Sequence, residues 1–221
     1  MYHSIRSGNY SKDLWNLDVD LFSKHLSYLN ENQDLKIYSC KDLVKDIPKD
    51  GLMITFDDGY LDNFEIASPL LLSLKIPFTL FVVTDHIKKR KKDYMSSEML
   101  KELSKNPLVS IGSHSKTHIS LTNCNKRELD EQIYESKSYL EDLLEEEIYM
   151  FSYPYGKFNP LVRDTVSQAG YKLAFTSHFD VNRSNQDKLT LNRNEIWNTD
   201  DLRLLKNKIA GDWDWLKYRS L

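Results

Sequence analysis

Cysteine is almost missing from this sequence: Cys40 and Cys124 are the only two in 221 residues. Two thiols so far apart exclude a disulfide framework and have no metal-knuckle spacing. No run approaches the roughly 18 apolar residues of a membrane span, so stable membrane insertion is not expected. A charge of one sign is lacking too, since 30 Lys and Arg stand against 33 Asp and Glu, for a net charge of −3. That balance gives no electrostatic reason to expect nucleic acid or an anionic membrane as the main partner. The one dense basic run, Lys88–Lys92, is short and reads as a solvated loop. The opening MYHSIRSGNYSKD has no apolar signal-peptide core. The expectation is a cytoplasmic protein, or a secreted one if a leader precedes these residues. No linker rich in Pro, Gly or Ser, no repeat and no low-complexity tract interrupts the chain. A single domain over 1–221 is therefore expected, and at 40% hydrophobic residues it can bury a core.

What is present is an alternation of short apolar runs with helical patterns. Gly51–Phe56, Pro77–Val83, Leu108–Gly112, Ile148–Phe151 and Leu173–Thr176 read as buried strands. Between them, Ser68-Pro69 looks like a helix start with Pro at the first position, and Ser96 or Ser97 caps a short helix to about Lys105. Lys126–Leu144 carries Leu129, Ile133, Leu140 and Leu144 at helical spacing, and Asn159–Ala169 is a helix closed by Gly170. Further helices are expected around Asp20–Asn30 and Asp201–Ile209. Alternation of this kind implies an α/β protein with a parallel sheet, and the length favours a closed or nearly closed barrel.

Three strands run into unusually composed polar segments. Asp57 and Asp58 in Thr55–Gly59 are adjacent carboxylates at the end of a buried strand, costly unless something positive lies beside them. A metal ion fills that need; taken alone, Asp-Asp-Gly is a turn signal. His114 and His118 follow the strand LVSIG, and two imidazoles four apart on a helical turn can bite one metal, although such pairs are common by chance. Tyr153-Pro154-Tyr155-Gly156 alone reads as a plain turn. In a parallel barrel, however, all three ends open on the face where active sites of such barrels lie. One Asp and two His then make a three-ligand site with a position open to water, the pattern of a hydrolytic metal centre.

These residues resemble the polysaccharide deacetylases of carbohydrate esterase family 4. Thr55–Gly59 stands as TFDDG, His114–His118 as H-S-x-x-H, and Tyr153–Gly156 as the end of R-x-P-Y-G, in the family's order, over roughly Met1 to Ile196. The resemblance implies a distorted, seven-stranded (β/α) barrel with a motif core over 51–196 and a helical tail over 197–221. It implies that Asp58, His114 and His118 hold a divalent metal, usually zinc, with cobalt or nickel also compatible with the donor set. Asp57 would take a proton from the metal-bound water, which attacks the N-acetyl carbonyl of an amino sugar. The backbone N–H of Tyr155 would help hold the oxyanion. The implied substrate is an N-acetylated amino-sugar glycan or its precursor, a cytoplasmic intermediate of surface-polysaccharide synthesis being favoured. Oligomeric state is not legible.

Two departures from the family pattern stand out. Ser152 occupies the place of the arginine that orients the catalytic Asp, and Arg193 occupies the place of the late histidine that serves as general acid. The expectation is that Arg193 swings in to contact Asp57. For the proton donor, His178 is a candidate, following a strand as it does, and an ordinary loop histidine is the alternative. His3 either lines the site or anchors the first strand. Tyr60, Tyr153, Tyr155 and Trp197 are candidates for a sugar platform. His25 and His86, the latter in the basic loop, are assigned no role. Trp213 and Trp215 are read as docking the C-terminal tail, a ligand or subunit contact being the other reading. The competing functions are a deformylase or other amidase on the same scaffold, and a carbohydrate-binding pseudoenzyme.

Overall fold

The computed structural model describes residues 1–8 and 13–214. Trp215 lies outside the described residues. A short parallel pair opens the chain, β1 (Ser4–Arg6) and β2 (Asn16–Asp18), followed by α1 (Val19–Glu31) and α2 (Cys40–Lys45). Then come β3 (Ile54–Phe56), α3 (Ser68–Ser73), β4 (Phe78–Val82), α4 (Thr84–Lys88), α5 (Ser97–Ser104) and β5 (Val109–Ser113). The longest helix, α6 (Lys126–Leu144), leads to β6 (Met150–Ser152), α7 (Pro160–Gln168), β7 (Leu173–Phe175) and α8 (Leu202–Ala210).

Strands β3 to β7 pair in sequence order, all parallel, as a five-stranded half-barrel with helices around it. Every residue of β4 and β5 is buried, as expected where helices cover the outside and side chains fill the inside. Two further extended segments continue the curve by single bridges, Tyr2 to Phe56 at one end and Leu191 to Phe175 at the other. They meet where the Ile196 N–H donates to the Met1 carbonyl at 2.9 Å. Of the seven strands expected, five form the paired half-barrel sheet, and the Tyr2 and Leu191 segments add only a single bridge at each of its edges.

Inside the barrel, Phe81 and Phe175 form an apolar floor, their rings 5.3 Å apart. Gly112 makes room for it: a Cβ there would sit 2.5 Å from the Phe81 ring. On the outside, α6 buries Leu129, Ile133 and Leu140 at its predicted spacing. Each such burial contributes about 1.5–3 kcal/mol. Asn125 and Glu128 close its N-terminus as a capping box.

Local readings that the structure corrects have physical causes. Pro69 stands in the first turn of α3, as expected, but that turn is not a free helix start. It lies in a continuous helical stretch over 61–73 whose middle, Asn63–Ala67, is a π-turn. The Ser68 N–H and hydroxyl both reach the Asn63 carbonyl, so the ladder is already offset where proline removes a donor. His86 is buried on α4, not carried in a solvated loop. Trp197 and Trp213 box the buried Lys208 ammonium, at 4.0 and 4.9 Å from their ring centres, and Lys208 pairs with Asp200. Trp197 therefore fastens α8 to the barrel and is not among the residues lining the cleft described next.

Candidate active site

The C-terminal ends of β3, β5 and β6, with the segment after Tyr2, surround a cleft of about 200 Å³. A larger cavity of about 390 Å³ is lined by residues such as Leu43, Ile47 and Leu205 and by none of the three carboxylate and imidazole ligand candidates. The chemistry therefore belongs to the smaller space.

Asp58, His114 and His118 each bring one ligand atom to within 4.8 Å of the others. The two histidine Nε2 atoms are 3.2 Å apart, and the Asp58 Oδ1 lies 3.6 and 3.4 Å from them. His114 Nδ1 is 2.8 Å from the Ser152 carbonyl, which can only accept, so Nδ1 carries the proton and Nε2 turns its lone pair inward. Burial lowers the pKa of both histidines and keeps them neutral. Burial likewise raises that of Asp58, which a cation would reverse. With His114 Nε2 and Asp58 Oδ1 turned to one point and His118 Nε2 beside them, the donor set fits a divalent metal with one position left open.

The two histidines do not share a helical turn. His114–His118 is a loop in which Ser115 and His118 take the left-handed conformation, with φ of 66° and 63°. The Ser115 hydroxyl accepts from the His118 N–H at 3.1 Å, while the Ser115 and Lys116 carbonyls accept from Thr84 and Asp85 at the start of α4. These bonds replace helical ones and point both rings at Asp58.

Asp57 is buried and forked by Arg193, each carboxylate oxygen receiving a 2.7 Å bond, with Ser152 Oγ at 2.9 Å from Oδ2. Arg193 also donates to Ser152 Oγ at 2.7 Å and to the Thr176 carbonyl at 2.9 Å, and lies over the Phe81 and Phe175 rings. Burial alone would raise the Asp57 pKa; the Arg193 charge outweighs it and holds the carboxyl well below the usual range. Adjacent carboxylates are thus driven in opposite directions, one fixed as an anion and one dependent on a cation. Asp57 Oδ2 is 3.7 Å from His114 Nε2, so base and metal ligands share one space.

His3 lines this cleft, and its Nδ1 is buried without a hydrogen-bond partner among the described residues. His178 does not: it is exposed, with its ring 6.1 Å from Phe158. Tyr153 touches the cleft wall, but its side chain is fully buried with the hydroxyl donating to the Leu189 carbonyl at 2.9 Å, so its ring offers no open face to a sugar. Tyr60 reaches the cleft wall but stacks on Tyr94 at 5.0 Å. Tyr155 is 58% exposed, with left-handed backbone (φ 59°), and its ring leans on His118 at 4.7 Å. Sequence reasoning missed Trp15, Asn16 and Glu195, which also line the cleft and belong to no motif.

A cluster of this kind, at the strand ends where barrels of this class carry their active sites, has the donor set to hold a divalent ion for hydrolytic chemistry. The family model described as polysaccharide deacetylase matches residues 44–174, and the chain belongs to the polysaccharide deacetylase family. It is similar to the poly-beta-1,6-N-acetyl-D-glucosamine N-deacetylase of Staphylococcus aureus (strain MRSA252), 27% identical over 203 residues, covering 79% of this chain and 70% of that protein. It is also similar to YxkH of Bacillus subtilis (strain 168), 27% identical over 198 residues, covering 87% of this chain and 68% of that one. Among solved structures, the Streptococcus pyogenes deacetylase PplD in complex with acetate superposes with a TM-score of 0.86 at 22% identity, covering 95% of this chain and 96% of that one. That likeness speaks for the fold.

Proposed function

We propose that this protein is a metal-dependent N-deacetylase acting on N-acetylglucosamine-type glycans. The observation that carries the reading is the Arg193–Asp57 fork set directly against the Asp58, His114 and His118 cluster in one cleft. Similarity to a poly-N-acetylglucosamine N-deacetylase supports the substrate class. A divalent ion held by these ligands, zinc in this proposal, would supply Lewis acidity and make a water-derived nucleophile available near neutral pH.

The chain's own groups account for the rest. Asp57, kept ionised by Arg193, takes the proton of the attacking water at a carboxylate oxygen, while Arg193 and Ser152 fix the angle of that carboxylate. The backbone N–H of Tyr155 serves the developing oxyanion. The proton that Asp57 takes passes on to the departing nitrogen, and His3, which lines the cleft where His178 does not and which burial keeps neutral, relays it, accepting at one ring nitrogen and releasing from the other. The test is acetate release from β-1,6-linked N-acetylglucosamine oligomers by zinc- and cobalt-loaded protein, with Asp57→Asn and His114→Ala alongside. Metal-dependent release lost in both variants is expected. Formate release from N-formyl analogues in place of acetate would reassign the acyl group. Stoichiometric metal binding without any release would make the protein a carbohydrate-binding pseudoenzyme.

A further inference from the structure

One aromatic side chain in the cleft wall has no part in the chemistry above. Trp15 is 48% exposed and lines the same cleft as Asp57, His114 and Tyr155. Exposure of a lone tryptophan is unremarkable in itself; its mounting is what sets it apart. The Trp15 N–H donates to Asp13 Oδ1 at 3.1 Å, and its carbonyl accepts from the Ser4 N–H at 3.2 Å. Asn198 clamps the same turn from the other side, donating to the Leu14 carbonyl at 2.8 Å and to that of Asp13 at 3.0 Å. The His3 ring meets Trp15 at 68°, not stacked upon it.

The surroundings suit a sugar. Asp13 and Asn16, bonded to each other at 2.6 Å, line the cleft beside Trp15 and offer acceptor and donor atoms to hydroxyl groups. A pyranose presents an apolar C–H face with a polar rim, and an aromatic plate edged by polar side chains is its complement. Size decides which sugar unit. At about 200 Å³ the cleft is smaller than the roughly 300–1,000 Å³ that encloses a drug-sized ligand, so it accommodates the reacting unit while the rest of a chain crosses its mouth. Trp15, half in solvent, stands at that mouth.

We infer that Trp15 is the stacking platform for a second sugar unit, adjoining the one whose acetamide reacts, and that it makes the enzyme selective for chains over free N-acetylglucosamine. The inference rests on the deacetylase reading. It is tested by steady-state kinetics of wild type, Trp15→Ala, Trp15→Phe and Leu161→Ala on the β-1,6-linked N-acetylglucosamine tetramer and on the monosaccharide. Leu161 is equally exposed on α7, outside the cleft, and controls for loss of surface area. Expected for Trp15→Ala is a rise of about ten-fold in KM for the tetramer with kcat within about two-fold, the signature of binding shared by ground and transition states. Trp15→Phe recovers most of it. Tetramer binding quenches the tryptophan fluorescence of the wild type, and that quench is lost in Trp15→Ala.

Wild-type turnover with an unmoved KM in Trp15→Ala would overturn the inference and leave the deacetylase reading standing. An equal rise in KM for monosaccharide and tetramer would put Trp15 on the reacting unit and overturn the second-unit assignment. Failure of the wild type on every substrate would overturn both.

Discussion

Replacing Arg193 by methionine leaves Asp57 as a buried anion with no counter-charge. Both groups are inaccessible, with side-chain exposures of 5% and 3%, and two 2.7 Å bonds join them. Breaking such a pair from one side costs about 3–5 kcal/mol, mostly the desolvation of the stranded charge. For a chain of this length that lowers Tm by about 6–20 °C. The pH dependence has a definite sign. In the wild type the Asp57 pKa lies below its ordinary value of 3.8, so its contribution is present above that pH and is lost as pH falls. Without Arg193, burial pushes the same carboxyl above 3.8, and the penalty is relieved as pH falls and the group protonates. Urea unfolding followed by tryptophan fluorescence at pH 7 and pH 4.5 therefore shows a gap that narrows on acidification. The double variant Asp57→Asn/Arg193→Met, which strands no charge, is more stable at pH 7 than Arg193→Met alone. A gap below about 1 kcal/mol at pH 7, or a double variant no better than the single one, refutes the reasoning.

Other expectations follow from the same geometry. His3→Ala loses about 10²–10⁴ in turnover with metal stoichiometry intact, whereas His178→Ala keeps wild-type turnover; the reverse pattern in acetate-release assays would restore His178 as proton donor. Tyr153→Phe, which strands the Leu189 carbonyl, costs about 1–2 kcal/mol in denaturant unfolding and leaves KM unchanged; a raised KM would return Tyr153 to the substrate. Burial lowers the pKa of His25, and that of His86 to about 4, so the unfolded chain binds more protons and stability falls as pH drops below about 6.5. For His86 the slope in that window is at most about 1.4 kcal/mol per pH unit, less to the extent that solvent screens it, and His86→Phe flattens the curve; an unchanged slope would place His86 in solvent.

The sequence carried the candidate base and the metal-ligand candidates openly, because Asp57, Asp58, His114 and His118 lie in contiguous segments directly after apolar strands. Helix α6 was legible for a different reason: its apolar spacing and capping box are written within one stretch. Arg193 could be paired with Asp57 because the departure at Ser152 left the carboxylate without its usual partner, and Ser152 itself turns out to share the bond. What depends on distant packing was not legible. Tyr153 stands between two motif residues and yet points into the core, where Phe151 and Phe158 enclose it. The left-handed conformations of Ser115 and His118 depend on bonds to α4, far off in sequence. β1 and β2, of three residues each, are too short and too polar to show a strand pattern. Trp15 reaches the cleft through β2 pairing with β1, which no local rule foretells.

The most direct measurement is a titration of zinc into metal-free protein, with metal bound and acetate released from the β-1,6-linked N-acetylglucosamine tetramer followed together. One equivalent bound with acetate release rising in proportion is the predicted result, and Asp58→Asn with His118→Ala should lose both. Acetate release by metal-free protein, or release that persists when those ligands are removed, would contradict the assignment of Asp58, His114 and His118 as the centre of the reaction.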